Sequence, residues 1–73
     1  MLETRLPHQS FSRREVEVFS RIISGHRNLE IASDLKISEK TVSSYKARIC
    51  SKLSVNTTAD IVRYALRHNL LPN

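Results

Sequence analysis

The chain of 73 residues has one cysteine, one glycine, two prolines and no tryptophan. A single cysteine excludes a disulfide within the chain and any zinc site built from cysteines. No apolar run approaches the roughly 18 residues that a transmembrane helix needs, and the N-terminal residues lack the apolar core of a signal peptide. The composition therefore predicts one small, soluble, cytoplasmic domain, with its thiol in a reducing compartment.

Acidic residues are also missing from one long stretch, because none occurs between Glu39 and Asp60. That stretch contains four basic residues, Lys40, Lys46, Arg48 and Lys52. The net charge of the chain is +5, which fits a polyanionic partner. A merely solvated helix usually carries Glu and Lys together, so the missing acids favour a binding surface.

Apolar residues recur at helical spacing in four segments. Ser12 and Glu15 form a capping box after Phe11, and this box predicts a first helix over about residues 13 to 24, before Gly25. A short second helix begins at Arg27 or Asn28, of which Asn28 is the better N-cap. These signals lie where a compact helical domain would need them.

The third helix is predicted from Ser38, an N-cap, and the fourth from Thr57 with Asp60. The third has a narrow apolar stripe of Val42, Tyr45, Ile49 and Leu53. The stripe of the fourth consists of Ile61, Val62 and Ala65, with Leu66 beside it and with Leu70, Leu71 and Pro72 closing the domain. No segment alternates long enough for a strand. We predict that residues 11 to 73 form an all-α domain of four helices, with a helix-turn-helix at its centre. Residues 1 to 10 are predicted to be a linker or arm before this domain.

Opposite its apolar stripe, the third helix has a small, polar side with cationic edges. This side includes Lys40, Ser43, Ser44, Ala47, Arg48 and Ser51. Serine can donate to or accept from base edges, alanine can touch a thymine methyl group, and lysine and arginine suit phosphate. The alternatives are a solvated helix surface for the serines and charges, and simple helix propensity for Ala47.

The residues resemble the LuxR/NarL/FixJ-type helix-turn-helix domain of bacterial regulators. The matching positions are Phe11 to Glu15, Val18, Gly25, Glu30 to Ala32, Leu35, Ile37, Ser38, Lys40 to Val42, Lys46, Lys52, Leu53, Val55 and Val62 to Ala65. The segment from Thr41 to Lys46 is similar to a subgroup found in response regulators of phosphorelays. The chain departs from the common pattern at Arg27, Leu29 and Lys36, where many members have Ser or Thr, Lys and Gly.

The resemblance implies sequence-specific DNA binding with the third helix in the major groove. Its base-contact positions fall on Ser43, Ser44 and Ala47, and its phosphate-contact positions include Lys46 and Lys52. Lys40 and Arg48 join them as phosphate candidates because of their charge. It also implies a homodimer on DNA through the fourth helix, with Val62 and Leu66 as candidates, and a receiver or sensor domain upstream. A stand-alone small regulator beginning at Met1 is the alternative arrangement.

Other chemistry has little support in the sequence. His8, His26 and His68 show no metal-ligand spacing and are interpreted as surface residues, and Ser12 with Glu15 has no histidine placed as a base. We therefore expect no enzyme activity, no cofactor and no bound metal. The rival hypothesis is a protein-interaction helical module that docks an acidic partner without DNA.

Overall fold

A computed structural model of the chain describes residues 6–71, and its regular structure is entirely helical. A short 3-10 helix, Pro7–Ser10, precedes four α-helices: α1 (Arg13–Ile23), α2 (Asn28–Leu35), α3 (Glu39–Leu53) and α4 (Thr58–Arg67). The predicted all-α fold with four helices is confirmed. Among these residues, no helix has the length and apolar character needed to cross a membrane.

The helix starts follow the predicted caps, with one correction at α2. The Ser12 hydroxyl accepts from the backbone N–H of Glu15 at 3.2 Å, and a Glu15 carboxylate oxygen accepts from the backbone N–H of Ser12 at 2.7 Å. Asn28 does not cap α2, because Arg27 is the N-cap and its backbone N–H donates to Glu30 at 2.8 Å. Only this half of a capping box forms at α2, because no side chain at the N-cap accepts from the first-turn N–H groups. The amide of Asn28 instead contacts Ser43 of α3.

The turn between α2 and α3 depends on one residue in a left-handed conformation. Lys36 has φ 58° and ψ 44°, and the backbone N–H of Ile37 donates back to the carbonyl of Ala32 at 3.0 Å. This closes the C-terminus of α2 and lets half-buried Ile37 pack on the core. Ser38 then caps α3 by accepting from the backbone N–H of Thr41 at 3.0 Å.

The hydrophobic core joins all four helices, and α3 contacts the other three and the 3-10 helix. The fully buried side chains are Val18, Ile31, Val42, Ile49, Ile61 and Ala65, with Phe19, Ile22, Ala32, Leu53 and Tyr64 almost as enclosed. Half-buried Leu70 and Leu71 pack back on this core, as predicted. Pro72, predicted to close the domain, lies outside the described residues.

The predicted stripe of α4 was partly wrong. Tyr64, which the sequence pattern did not place inside, is 6% exposed, whereas Val62 is only half-buried and Leu66 is 63% exposed. A ring with a polar hydroxyl is often partly exposed, so tyrosine is a weak core signal unless its hydroxyl finds a partner. Here the partner is His8 in the 3-10 helix, whose Nδ1 lies 2.8 Å from the Tyr64 hydroxyl.

Candidate nucleic-acid interface

One side of α3 faces solvent along its whole length. Its exposed residues are Lys40, Ser43, Ser44, Ala47, Arg48 and Ser51, which together we call the outer face of α3. The opposite side buries Val42, Ile49 and Leu53 in the core. The helix therefore has the rotation that the sequence pattern predicted, with small polar side chains outward and aliphatic ones inward.

Small side chains let other molecules approach the backbone of α3 closely at its centre. Ser43, Ser44 and Ala47, the predicted base-contact residues, are all exposed and lie within about one turn of one another. The structure thus brings these three onto a single patch. A duplex groove could receive this patch without a bulky side chain standing in the way.

Two serine hydroxyls on this patch already make hydrogen bonds within the protein. The amide nitrogen of Asn28, in the first turn of α2, donates to the Ser43 hydroxyl oxygen at 3.4 Å. The Ser44 hydroxyl donates instead to the backbone carbonyl of Lys40, one turn earlier in α3, at 3.2 Å. Sequence reasoning missed both contacts, because spacing along a helix does not show which way a hydroxyl points.

Three of the four predicted phosphate-contact residues lie at or beside the outer face. Lys40 and Arg48 are exposed, and Lys46 is half-buried, which agrees with a stem that runs along apolar surface before its ammonium reaches water. The Arg48 guanidinium lies 5.4 Å from the centre of the Tyr45 ring. That contact restrains the arginine beside the patch. Tyr45, predicted as part of the buried stripe, is only half-buried and packs at the edge of the core.

Lys52 has a second role that the sequence did not reveal. Its ammonium donates to a carboxylate oxygen of Glu15 at 2.7 Å and to the backbone carbonyl of Ser10 at 3.1 Å. The Glu15 side chain is 5% exposed, so this pair ties the end of α3 to the start of α1. Much of the positive charge of Lys52 is therefore balanced inside the domain, which weakens its case as a phosphate contact.

The Glu15 carboxylate is stabilised in its charged form by this arrangement. The hydrogen bond from Lys52, followed by the one from the backbone N–H of Ser12, holds the pKa of Glu15 below its ordinary value despite burial. Glu15 was predicted only as a helix cap. A charge partner 37 positions away is not readable from local spacing.

The acid-free character of the outer face survives folding. Glu39, at the first turn of α3, is the nearest carboxylate in sequence, and none follows before Asp60. Elsewhere in the described chain, carboxylates pair with arginines: Glu17 with Arg14 at 3.2 Å, Asp34 with Arg21 at 3.4 Å and Asp60 with Arg63 at 3.3 Å. Glu39 is exposed in the first turn of α3, so the excess of positive charge on this helix lies on the part that follows it.

The histidines are less exposed than predicted. His26 is exposed, but His8 and His68 are half-buried against Tyr64, with His68 and Tyr64 ring centres 4.3 Å apart. Burial, and then the proximity of His68, lower the pKa of His8. Within residues 6–71 no group of side chains has the arrangement of a metal site. This cluster fastens the 3-10 helix onto α4.

Comparison with known proteins agrees with this geometry. The family model of the bacterial regulatory proteins of the luxR family matches residues 9–65. A Pseudomonas aeruginosa protein provisionally named a transcriptional regulator is 43% identical over 63 residues, which cover 86% of this chain and 30% of that protein. The oxygen regulatory protein NreC is 40% identical in Staphylococcus carnosus over 68 residues, covering 93% of this chain and 31% of NreC. The NreC of Staphylococcus aureus strain JH9 is also 40% identical, over 65 residues that cover 89% of this chain and 30% of that protein. The chain spans about three tenths of the length of these relatives.

Proposed function

The chain belongs to the luxR family of bacterial regulatory proteins, and we propose that its α3 enters the DNA major groove and reads operator sequence with its outer face. Members of this family are DNA-binding transcription regulators, not enzymes, and this chain is one of them. The observation that carries the proposal is the outer face itself, which is exposed, lined by small side chains and free of carboxylates.

In this proposal the residues divide between two kinds of contact. Ser43, Ser44 and Ala47 face the base edges, where the groove presents hydrogen-bonding groups and thymine methyls. Lys40, Lys46 and Arg48 contact phosphates, which fix the position of α3 but carry no sequence information. None of the three base-facing residues can form a bidentate contact, so ordered water and DNA shape contribute to specificity.

We further propose that the functional unit is a homodimer on paired half-sites. Leu66 on α4 is exposed to 63% and lies near half-buried Val62, so these two side chains offer an apolar contact on the helix that the family resemblance assigns to the dimer. Leu66→Glu should leave the melting temperature of the domain nearly unchanged. It should weaken binding to a duplex with two half-sites far more than binding to a duplex with one, since only the former requires the α4 contact. Equal losses on both duplexes would place the dimer contact elsewhere.

The upstream context is proposed from the relatives. Because the chain spans about three tenths of proteins such as the NreC regulators, we propose that it is the output domain of a longer response regulator with a receiver or sensor domain before it. A regulator of this kind acts on the chromosome, so we place it in the cytoplasm. Expression of the full reading frame from its genome, followed by mass measurement, would decide between this arrangement and a stand-alone small regulator.

A gel-shift assay with a charge variant tests the major-groove proposal against the rival of an acidic protein partner. Ser44→Glu places a carboxylate in the middle of the outer face and should weaken duplex binding at least about tenfold, because like charges then meet the phosphates. Ser20→Glu makes the same change on the exposed side of α1 and should have a much smaller effect. Polyglutamate that competes as well as random duplex, or equal losses in the two variants, would contradict the proposal.

A further inference from the structure

The two neighbouring serines of the base-facing patch have opposite hydrogen-bonding roles inside the protein, because Ser43 accepts and Ser44 donates. Ser43 accepts a hydrogen bond from the amide nitrogen of Asn28 at 3.4 Å, so its own O–H is left to donate outward. Ser44 uses its O–H on the carbonyl of Lys40 at 3.2 Å, so it presents lone pairs outward. Two identical side chains therefore offer different groups to solvent, because one contacts the Asn28 amide and the other contacts the Lys40 carbonyl.

The orientation of the Asn28 amide follows from its other end. Its carbonyl oxygen is buried and has no hydrogen-bond partner among the described residues. The reversed orientation would bury the NH₂ group there instead, with two donors to satisfy in place of one acceptor. The amide nitrogen lies on the Ser43 side, where it donates to the Ser43 hydroxyl oxygen.

We propose that Asn28 is a specificity-determining positioning residue, which makes Ser43 a hydrogen-bond donor towards the bases, while the carbonyl of Lys40 makes Ser44 an acceptor. This rests on the proposed function. Ser43 then reads an acceptor in the major groove, which is the N7 of a purine, the O6 of guanine or the O4 of thymine. Ser44 reads a donor, the amino group of adenine or of cytosine. Asn28 itself touches no base, and it acts by fixing the direction of the Ser43 hydroxyl.

The test uses base analogues that each lack one major-groove group. A selection from a random duplex library with the 73-residue chain first gives the preferred operator. Analogues lacking one acceptor or one amino donor then replace the operator bases singly. Loss of the group read by either serine should weaken binding about three- to tenfold, the range of one hydrogen bond. Ser43→Ala should abolish sensitivity to one acceptor, and Ser44→Ala should abolish sensitivity to one donor. Ser20→Ala, on α1, should keep both sensitivities.

A second pair of variants addresses Asn28 directly. Asn28→Asp has nearly the same shape, but both carboxylate oxygens only accept, so the Ser43 hydroxyl must turn inward and donate to it. The variant should lose the acceptor sensitivity that depends on Ser43 and keep the donor sensitivity that depends on Ser44. The added charge lowers affinity for all duplexes, so the readout is the affinity ratio between normal and analogue duplexes. Asn28→Ala removes the donor that holds the Ser43 oxygen, so the Ser43 hydroxyl can turn either way and the acceptor sensitivity should weaken with no change of charge. Full acceptor sensitivity in Asn28→Ala would mean that Asn28 does not position Ser43.

The outcomes separate this inference from the function beneath it. The inference alone is overturned if the chain binds duplex but Ser43 reads a base donor and Ser44 a base acceptor. It is also overturned if both serines read the same kind of group. Retention of the acceptor sensitivity in Asn28→Asp also overturns it. Failure of the wild-type chain to prefer any duplex overturns the proposed function, and the inference falls with it.

Discussion

The inner and outer faces of α3 differ in almost every physical property, although they share one backbone. Val42 and Ile49 on the inner face are fully enclosed by side chains of the other helices. On the outer face, Ser43 and Ala47 are exposed, and the charges there have one sign. In the proposed function, stability and recognition therefore depend on opposite sides of a single helix. Substitutions on one side should change one property with little effect on the other.

Replacement of a core residue of the inner face should give the largest effect on stability. Ile49 is 0% exposed, so Ile49→Ala removes buried apolar surface and leaves a cavity. We expect a loss of about 2 to 4 kcal/mol in the free energy of unfolding. Ala47→Ser, two positions away on the outer face, should change it by less than about 0.5 kcal/mol. Thermal melts without DNA measure both, and equal melting temperatures would mean that the two faces have been assigned wrongly.

Two lysines of α3 sharpen the comparison, because only one of them has a buried carboxylate partner. Lys52→Met should lower the free energy of unfolding by about 1 to 2 kcal/mol, since Glu15 loses its charged donor. Lys46→Met should leave unfolding almost unchanged but weaken binding to all duplexes alike. Urea titration and duplex titration of both variants give the four values. A larger loss of stability in Lys46→Met would reverse the roles that we assign.

A substitution at Lys36, in the turn between α2 and α3, should raise the free energy of unfolding by a small amount. Lys36 has φ 58°, in the left-handed region where a side chain costs energy and glycine does not. Lys36→Gly should therefore stabilise the domain by about 0.5 to 1 kcal/mol. Ser33→Gly, three residues earlier inside α2, should destabilise it by about 0.5 to 1 kcal/mol. Urea titrations that show the same sign for both variants would contradict this account of the turn.

Acid should weaken the domain in two stages, both outside the outer face. The lowered pKa of His8 means that its neutral form stabilises the fold above the ordinary histidine value of about 6.5, and this contribution is lost as the pH falls through the lower value. The lowered pKa of Glu15 gives a second loss below its ordinary value of about 4.3. His8→Phe should flatten the first stage and Lys52→Met the second. The free energy of unfolding is measured across pH for both variants. If each variant still shows both losses of stability, the assignment of these losses to His8 and Glu15 is wrong.

The sequence was sufficient for the fold and for the two faces of α3 because these depend on local signals. The capping box of Ser12, the cap of Ser38 and the spacing of Val42, Ile49 and Leu53 act over one or two turns, and all three were confirmed. Asn28 was wrongly preferred as a cap, because the backbone N–H of Arg27 finds Glu30 instead.

What the sequence could not provide were contacts between residues far apart along the chain. The pair of Lys52 with Glu15 and the contact of His8 with Tyr64 join positions separated by 37 and 56 residues. The energies of these contacts depend on the burial of the groups and the distances between them in the folded domain. The spacing of residues along the sequence gives neither quantity. Residues 1–5 of the predicted arm lie outside the described chain, while Pro7–Ser10 is helical and contacts α3, so a linker role for residues 1 to 10 stays a prediction.

The salt dependence of duplex binding tests the central claim most directly. Lys40, Lys46 and Arg48 form no ion pair with a carboxylate of residues 6–71, whereas Lys52 pairs with Glu15. If those three cations each neutralise one phosphate in both protomers of a dimer, log K should fall against log salt with a slope of about −5. Fluorescence anisotropy with a labelled operator between about 50 and 200 mM salt gives this slope. A steep negative slope that becomes shallower in Lys46→Met supports the outer face of α3 as the DNA-binding surface, and a slope near zero contradicts it.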